Sequence, residues 1–513
     1  MKTFKIAYTS DVHGQLLATH YPTGTTAQMG LSRVSSYLKQ QEEPVLFIDN
    51  GDLLQGSPLM DYSRQTKRSI NPAAMAMNLL HAKYITLGNH DFNFGMTYLQ
   101  DYLSQVDATL LCANVFYHDQ PLGELFVVDQ QFGIRIGLIG VTTAYVPHWE
   151  QVDNIQGVRF ESAAQTVETL VHQHRSSVDL LIVVYHGGFE NDPITKKPIG
   201  RQTIENEAAA ISAINGVDVI LTGHQHMSIE HQDVTPKLLQ PKMNATEFGV
   251  VTITIDNQTI VDVQVALIQN EFFEDASFVE HFSQLEADTA TWLDQPVGHV
   301  KSDLRVASAL EVRRQPHRLV DWIHQLQRLV YNADISIVSL PNDMAGFFGQ
   351  VSVRDLVATF VFANTLTVLS MKGSEVLAAL EQTAGYFEVE NGNLRTSPAF
   401  LYPKVEHYNY DMYHGIDYEF DISKPLGQRL IRCLFHGNPI ETTRSYTVIC
   451  NNYRAGGGGD YPMFETAEVI REFDQSYFDL AVDFIKKNHP VRVELSSRFK
   501  VSIKGEETDP ELQ

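Results

Sequence analysis

Cysteine is scarce: Cys112, Cys433 and Cys450 are the only three in 513 residues, an odd number without paired spacing. That excludes a disulfide framework and a thiolate zinc site, and leaves each thiol as a small apolar group. No apolar run approaches the ~18 residues of a membrane-spanning helix, so no membrane partner is expected. The opening, Met1 to Asp11, lacks the apolar stretch of about 7–15 residues that marks a secretory leader. Basic residues are also few, 38 Lys and Arg against 62 Asp and Glu, for a formal charge of −24. A chain so acidic lacks the basic face that a nucleic-acid polymer or an anionic membrane requires. Its acidity reads as a solvated surface. Together these absences point to the cytoplasm, with no obligate protein partner indicated.

What is present is globular: 43% of residues are hydrophobic and 10% aromatic. A chain this long divides into more than one core, and two domains are expected. The first half repeats one design, a short apolar β-branched run followed by a turn rich in Asp, Gly, Asn or His. The runs are Phe4–Thr9, Val45–Ile48, Tyr84–Leu87, Thr109–Ala113, Ile134–Val141, Leu180–Tyr185 and Val217–Leu221, with helical patterns such as Met29–Gln41 and Asn71–His81 between them. That alternation predicts an α/β layered domain with strands buried on both faces.

Alternating stretches near 250–270 read as a closing hairpin. We therefore place a first domain at 1–270, a connecting helix at 271–298 and a second α/β domain at 299–505. The second domain is expected to contain helices Pro316–Tyr331, Val353–Val361 and Ser374–Ala384. Its expected strands are Asp334–Leu340, Leu366–Met371, Tyr418–Ile422 and Ser445–Asn451. The polar tail Lys504–Gln513 is expected to fray.

Five turns carry metal-ligand chemistry: Asp11-Val12-His13, Gly51-Asp52, Gly88-Asn89-His90-Asp91, His186-Gly187-Gly188 and Gly223-His224-Gln225-His226. Each alone is ordinary. Together, following separate strands, they are aimed at one edge of one sheet, where α/β proteins place their sites. The donors are carboxylate, imidazole and amide, which suits manganese, zinc or iron. So many donors exceed one tetrahedral ion, and two ions sharing a carboxylate account for them better. His172, His174, His317, His324 and His407 have no partner at ligand spacing and read as ordinary surface or core residues.

As a set, these motifs resemble the calcineurin-like metallophosphoesterases of the 5′-nucleotidase family. The resemblance implies an N-terminal layered αββα sandwich holding two divalent cations, Mn2+ or Zn2+ with Fe or Co as options. It implies that Asp11, His13, Asp52 and His226 hold one ion. Asp52, Asn89, His186 and His224 would hold the other, with Asp52 bridging. Two dications and two carboxylates leave a site of about +2, which attracts a phosphate group. By the same resemblance His90, with Asp91 beside it, is the catalytic pair, stabilising or protonating the leaving oxygen. The family's 5′-nucleotidases place an Asp three residues after that His. Here Asn93 stands in that place.

The second half contains Asn451-Asn452-Tyr453-Arg454-Ala455 followed by four glycines, without the Lys-Ser/Thr of a phosphate-binding P-loop. This phrase and the run Tyr408–Tyr418 resemble the C-terminal, base-binding domain of bacterial 2′,3′-cyclic-nucleotide 2′-phosphodiesterase/3′-nucleotidases. The likeness implies that Tyr453 and Tyr408 sandwich a nucleotide base, with Tyr413 the alternative second face and Gly457 and Gly458 passing close to the ligand. The substrate expected is a small nucleotide or phosphate ester. The arginine that family 5′-nucleotidases carry after the strand Asp334–Leu340 is missing from 341–348, which favours the cyclic-nucleotide reading over a 5′-nucleotidase or UDP-sugar hydrolase. A non-catalytic metal-bound nucleotide sensor is the reading from another class.

Overall fold

The computed structural model describes every residue except 199–203, 363, 403–404, 474 and 504–513, so the polar tail lies outside the described residues. The chain forms two compact units, Met1–Trp292 and Leu293–Gln513.

The first unit is built on two six-stranded sheets. One runs Thr259–Gln269, Glu247–Asp256, Lys2–Thr9, Val45–Asp49, Tyr84–Ile85, Thr109–Leu110, with the last four strands parallel. The other runs Ile229–His231, Lys237–Gln240, Val219–Leu221, Leu180–His186, Ile136–Thr142, Val127–Asp129. Alternation decides how they pack. In the second sheet Leu138, Ile182, Val184, Val219 and Leu221 meet Phe4, Ile6, Tyr8, Leu46 and Ile48 of the first. The intervening Ile139, Val141, Leu181, Val183 and Tyr185 turn the other way, onto Val167, Leu170, Val171 and Ile211 of helices Ala163–His174 and Ala208–Ser212. Helix Leu31–Lys39 covers the outer face of the first sheet, with Tyr37 packed on Phe248. The layers are therefore αββα, the arrangement the resemblance implied.

Register then places the turns. Thr9 pairs with Asp49 and Asp49 with Ile85, so Asp11, Asp52 and Asn89 leave the same end of the first sheet. Val184 pairs with Leu221, so His186, His224 and His226 leave one end of the second. This corrects the expectation of one edge of one sheet: the donors come from two edges. Asn50 ties the two edges together, its Nδ2 donating to Tyr185 O (3.1 Å).

The stretch 271–298 divides between the units. Helix Ala276–Leu293 buries Phe278, Phe282 and Leu285 and is tied to the first unit by Tyr21 to Glu286 (2.8 Å) and by an Arg68–Asp288 ion pair. Strand Pro296–Val300 pairs with Gly349–Ser352 in the second unit. That unit carries a five-stranded sheet, ordered Asp411–His414, Ile335–Ser339, Ser445–Asn451, Leu366–Lys372, Glu468–Phe473. Helix Arg318–Val330 buries Trp322, Ile323 and Leu326, and a smaller four-stranded sheet includes Ile416–Asp421 and Leu430–Phe435. Among the described residues no helix is long and apolar enough to cross a membrane.

Candidate metal centre

All seven expected ligands converge. Asp11, His13 and His226 form one cluster and Asp52, His186 and His224 a second, each with its donor atoms within 4.8 Å of one another. In the first, His13 Nε2 and His226 Nε2 stand 3.0 Å apart, and His226 Nε2 is 3.2 Å from Asp11 Oδ1. In the second, His186 Nε2 lies 3.2 Å from Asp52 Oδ2, and His224 Nδ1 lies 2.9 Å from Asn89 Oδ1. His186 Nε2 is also 3.9 Å from Asp11 Oδ1, which links the clusters.

The donors fit divalent ions. Two ligand atoms each about 2.0–2.2 Å from one ion stand about 3.0–3.5 Å apart, the spacing found here. Asp52 Oδ2 and His186 Nε2 are buried and, although close, make no aligned hydrogen bond with each other or with any described residue. Such orphaned atoms are costly unless something satisfies them. A divalent cation held by this cluster would do so.

Backbone carbonyls orient the rings. His13 Nδ1 faces Gln55 O (3.2 Å) and His186 Nδ1 faces Asn50 O (2.6 Å), so each Nδ1 carries the hydrogen and each Nε2 keeps its lone pair for the centre. His224 reverses this pattern. Its Nε2 faces the Glu205 carboxylate (3.1 Å), which leaves Nδ1 beside Asn89. Burial disfavours the charged forms of Asp52 and His186, but their mutual attraction outweighs it without metal. Asp52 is held well below the usual carboxylate range and His186 is pushed up to about 10.

The local backbone is unusual. Asp11, His13, Asp52, His224 and His226 all have positive φ, between 51° and 70°. Such conformations are uncommon for residues other than glycine and gather at functional sites. Two glycines allow the crowding. A Cβ on Gly88 would lie 2.1 Å from Asp52 Oδ1, and one on Gly223 would lie 2.0 Å from Ser10 Oγ.

Asp91 departs from its expected role. Its carboxylate accepts from four backbone amides, those of Asp52, Leu53, Leu54 and Gly88, at 2.8–3.0 Å. Both oxygens are occupied in bracing the Asp52 and Asn89 turns, so Asp91 does not orient His90. The His90 amide donates to Asp52 Oδ1 (2.7 Å), and its ring lies 5.4 Å from that of His13 by centroids. Its Nδ1 meets Asn93 Oδ1 at 2.7 Å.

Sequence reasoning missed Glu205, Glu150 and Trp149. Trp149 packs on His224 with ring centroids 5.4 Å apart. None belongs to a motif. The available signal was an Asn at position 93, which invites a search for the carboxylate behind it.

In the second unit, Tyr453 and Tyr408 are neighbours, but edge to face, with centroids 6.2 Å apart and planes at 74°. That is a corner rather than the parallel sandwich expected. Tyr413 is fully buried on strand Asp411–His414 beside Thr383 and presents no face to a base, which removes it as the alternative. The glycine loop lies against Tyr453. A Cβ on Gly458 would come within 2.6 Å of that ring, and Gly457 has φ +83°. Arg454 holds the loop from below, paired with buried Asp411 (Nε–Oδ2 2.8 Å) and stacked 3.8 Å over Tyr461.

Comparison with known proteins agrees with this architecture. The family model for calcineurin-like phosphoesterases matches residues 4–228, and that for the 5′-nucleotidase C-terminal domain matches 296–466. A candidate 5′-nucleotidase from Staphylococcus aureus, solved in complex with alpha-ketoglutarate, is 32% identical with a TM-score of 0.93, over 98% of this chain and 100% of that one. The 2′,3′-cyclic-nucleotide 2′-phosphodiesterase/3′-nucleotidase of Salmonella typhimurium is 25% identical over 88% of this chain and 81% of its own length. The trifunctional nucleotide phosphoesterase of Bacillus subtilis is 23% identical over 97% of this chain, which spans only 39% of that protein. With two cation-spaced donor clusters on an αββα frame and a separate C-terminal α/β unit, the chain belongs to the calcineurin-like metallophosphoesterases that carry a 5′-nucleotidase C-terminal domain.

Proposed function

We propose that the chain hydrolyses 2′,3′-cyclic nucleotides and 3′-nucleotides, with a first domain at 1–270 supplying the reaction centre and a second at 299–505 a base site. The observation that carries the hydrolytic reading is the pair of donor clusters at ligand spacing with orphaned atoms between them. Asp11, His13, Asp52 and His226 would hold one ion and Asp52, Asn89, His186 and His224 the other, manganese or zinc suiting this donor set. Ions there supply Lewis acidity for the phosphoryl oxygens and a water that ionises near neutral pH.

The chain's own residues do the rest. His90 stabilises charge on the leaving oxygen and delivers a proton to it from Nε2. Asp91 holds the Asp52 turn in place. Tyr453, backed by Gly458, offers one aromatic face for a base. Three unpaired cysteines fit a reducing compartment, which supports a cytoplasmic setting.

The preference for cyclic and 3′-nucleotides draws on relatives so named and on the segment 341–348, which has no arginine. Arg313 touches that segment, but it is buried and donates to the carbonyls of Ala309, Leu340, Pro341 and His407. It is therefore not offered to a phosphate.

A panel of 2′,3′-cyclic AMP, 3′-AMP, 5′-AMP and UDP-glucose with added Mn2+ tests the proposal. The first two should show the higher kcat/KM. Preference for 5′-AMP or UDP-glucose would instead make it a 5′-nucleotidase or UDP-sugar hydrolase. Binding without turnover with any divalent ion would make it a sensor.

A further inference from the structure

His90 needs a fixed Nδ1 hydrogen if Nε2 is to exchange the proton, because a ring protonated only at Nε2 would become an anion on giving it up. An asparagine alone does not set this, since its amide can turn either oxygen or nitrogen toward the ring. In this chain the amide is not free to turn. Asn93 Nδ2 meets Glu150 Oε2 at 2.5 Å. Glu150 Oε1 in turn accepts from Asn154 Nδ2 (2.7 Å) and from the Gln151 amide (2.9 Å). Asn154 Nδ2 also donates to Asn93 O (2.9 Å), so its own orientation is determined. Every donor is thus assigned, and Asn93 Oδ1 must face His90 Nδ1.

We infer that Glu150 is the positioning residue for His90, fixing its proton on Nδ1 through the Asn93 amide. This rests on the reading of His90 as the proton donor given above. Burial raises the Glu150 carboxyl, while its three N–H partners favour the ionised form.

Glu150→Gln makes a specific demand. Asn154 and the Gln151 amide require an oxygen at the Oε1 position, so the new NH2 must face Asn93. The Asn93 amide then flips, its nitrogen faces His90 Nδ1, and the ring hydrogen moves to Nε2. Asn93→Asp in the same chain restores an acceptor that can take both hydrogens.

The test uses the full chain loaded with Mn2+, with 3′-AMP and 4-nitrophenyl phosphate as probes. E150Q should lower kcat for 3′-AMP at least about 10-fold. KM should stay within about twofold, bound metal should be unchanged, and the loss on the better leaving group of 4-nitrophenyl phosphate should be smaller. N93D/E150Q should recover most of the kcat. In zinc-loaded, 15N-histidine-labelled protein the neutral His90 ring should carry its hydrogen on Nδ1 in the wild type and double variant, and on Nε2 in E150Q. An unchanged tautomer in E150Q, or no recovery in the double variant, overturns the assignment. His90→Ala with undiminished kcat on 3′-AMP would instead overturn the role of His90, while the tautomer measurement still decides the link to Glu150.

Discussion

The Nε2 atoms of His13 and His226 stand 3.0 Å apart, although the residues are 213 positions distant in the chain. His13 carries its hydrogen on Nδ1, toward Gln55, so its lone pair points at the other ring. A cation bound by Asp11, His13 and His226 would join these groups, and removing it would leave them unsatisfied. Chelation should therefore lower the melting temperature as well as abolish turnover. Ligand binding at 1,000 times its dissociation constant is worth about 4 kcal/mol, which sets the scale of the loss. Asp52→Ala should reduce bound metal below two ions per chain and activity by about 1,000-fold or more. Metal analysis showing two ions retained in an inactive variant would contradict this.

Asp91→Asn should behave as a structural lesion with a metal phenotype. Its NH2 group would face backbone amides that now donate to a carboxylate oxygen. Leaving buried donors unsatisfied costs about 1–3 kcal/mol each. The variant should melt several degrees lower and bind metal more weakly. A variant with wild-type melting and metal content but lost turnover would return Asp91 to a direct part in the reaction.

Tyr453→Ala should raise KM for 3′-AMP by about 5- to 150-fold, the range of one base-stacking contact, and leave 4-nitrophenyl phosphate almost unaffected. Gly458→Val should imitate it, because its side chain would occupy the space of the Tyr453 ring. Equal damage to both substrates would show that Tyr453 supports the fold rather than the base.

His324 provides a pH probe in the second unit. It is buried, its Nδ1 meets Ser336 Oγ at 2.8 Å, and its Nε2 has no hydrogen-bond partner among the described residues. Burial, aided by the charges of His414 and Arg328, pushes its folded pKa well below the ordinary value of 6.5. Below pH 6.5 the unfolded chain therefore binds the proton that the folded chain refuses, and stability falls as pH falls. One such group contributes at most about 1.4 kcal/mol per pH unit. His324→Asn keeps a donor toward Ser336 and should flatten the melting-temperature profile between pH 6.5 and 5. An identical slope in both proteins would place the effect elsewhere.

The metal donors were legible because each follows a strand, and a strand end is a local pattern. The glycines at 51, 88 and 223 marked the same turns. That the donors belong to two sheets was not legible, since each strand reads alike whichever sheet it joins. The bracing role of Asp91 was not legible for a related reason: adjacency to His90 is visible in the chain, while the three amides it reaches at Asp52, Leu53 and Leu54 are 37–39 positions away. Tyr413 and Tyr408 look equivalent in sequence, yet Tyr413 falls on the strand Asp411–His414, whose first three residues are all buried, while Tyr408 falls in the short helical turn before it, beside Tyr453. Glu150 lies 57 positions from Asn93, and nothing periodic connects them.

The positive φ angles at Asp11, His13, Asp52, His224 and His226 restrict how the centre can be redesigned. Any residue with a Cβ bears about 1–2 kcal/mol of conflict in that conformation, and Asn, Asp and His are the types found there most often. A donor swap that looks modest, such as a longer acid for Asp11, would then be penalised by geometry before its chemistry is sampled. Asn89 and His186 sit on ordinary backbone. A donor swap at either of them meets no such backbone conflict.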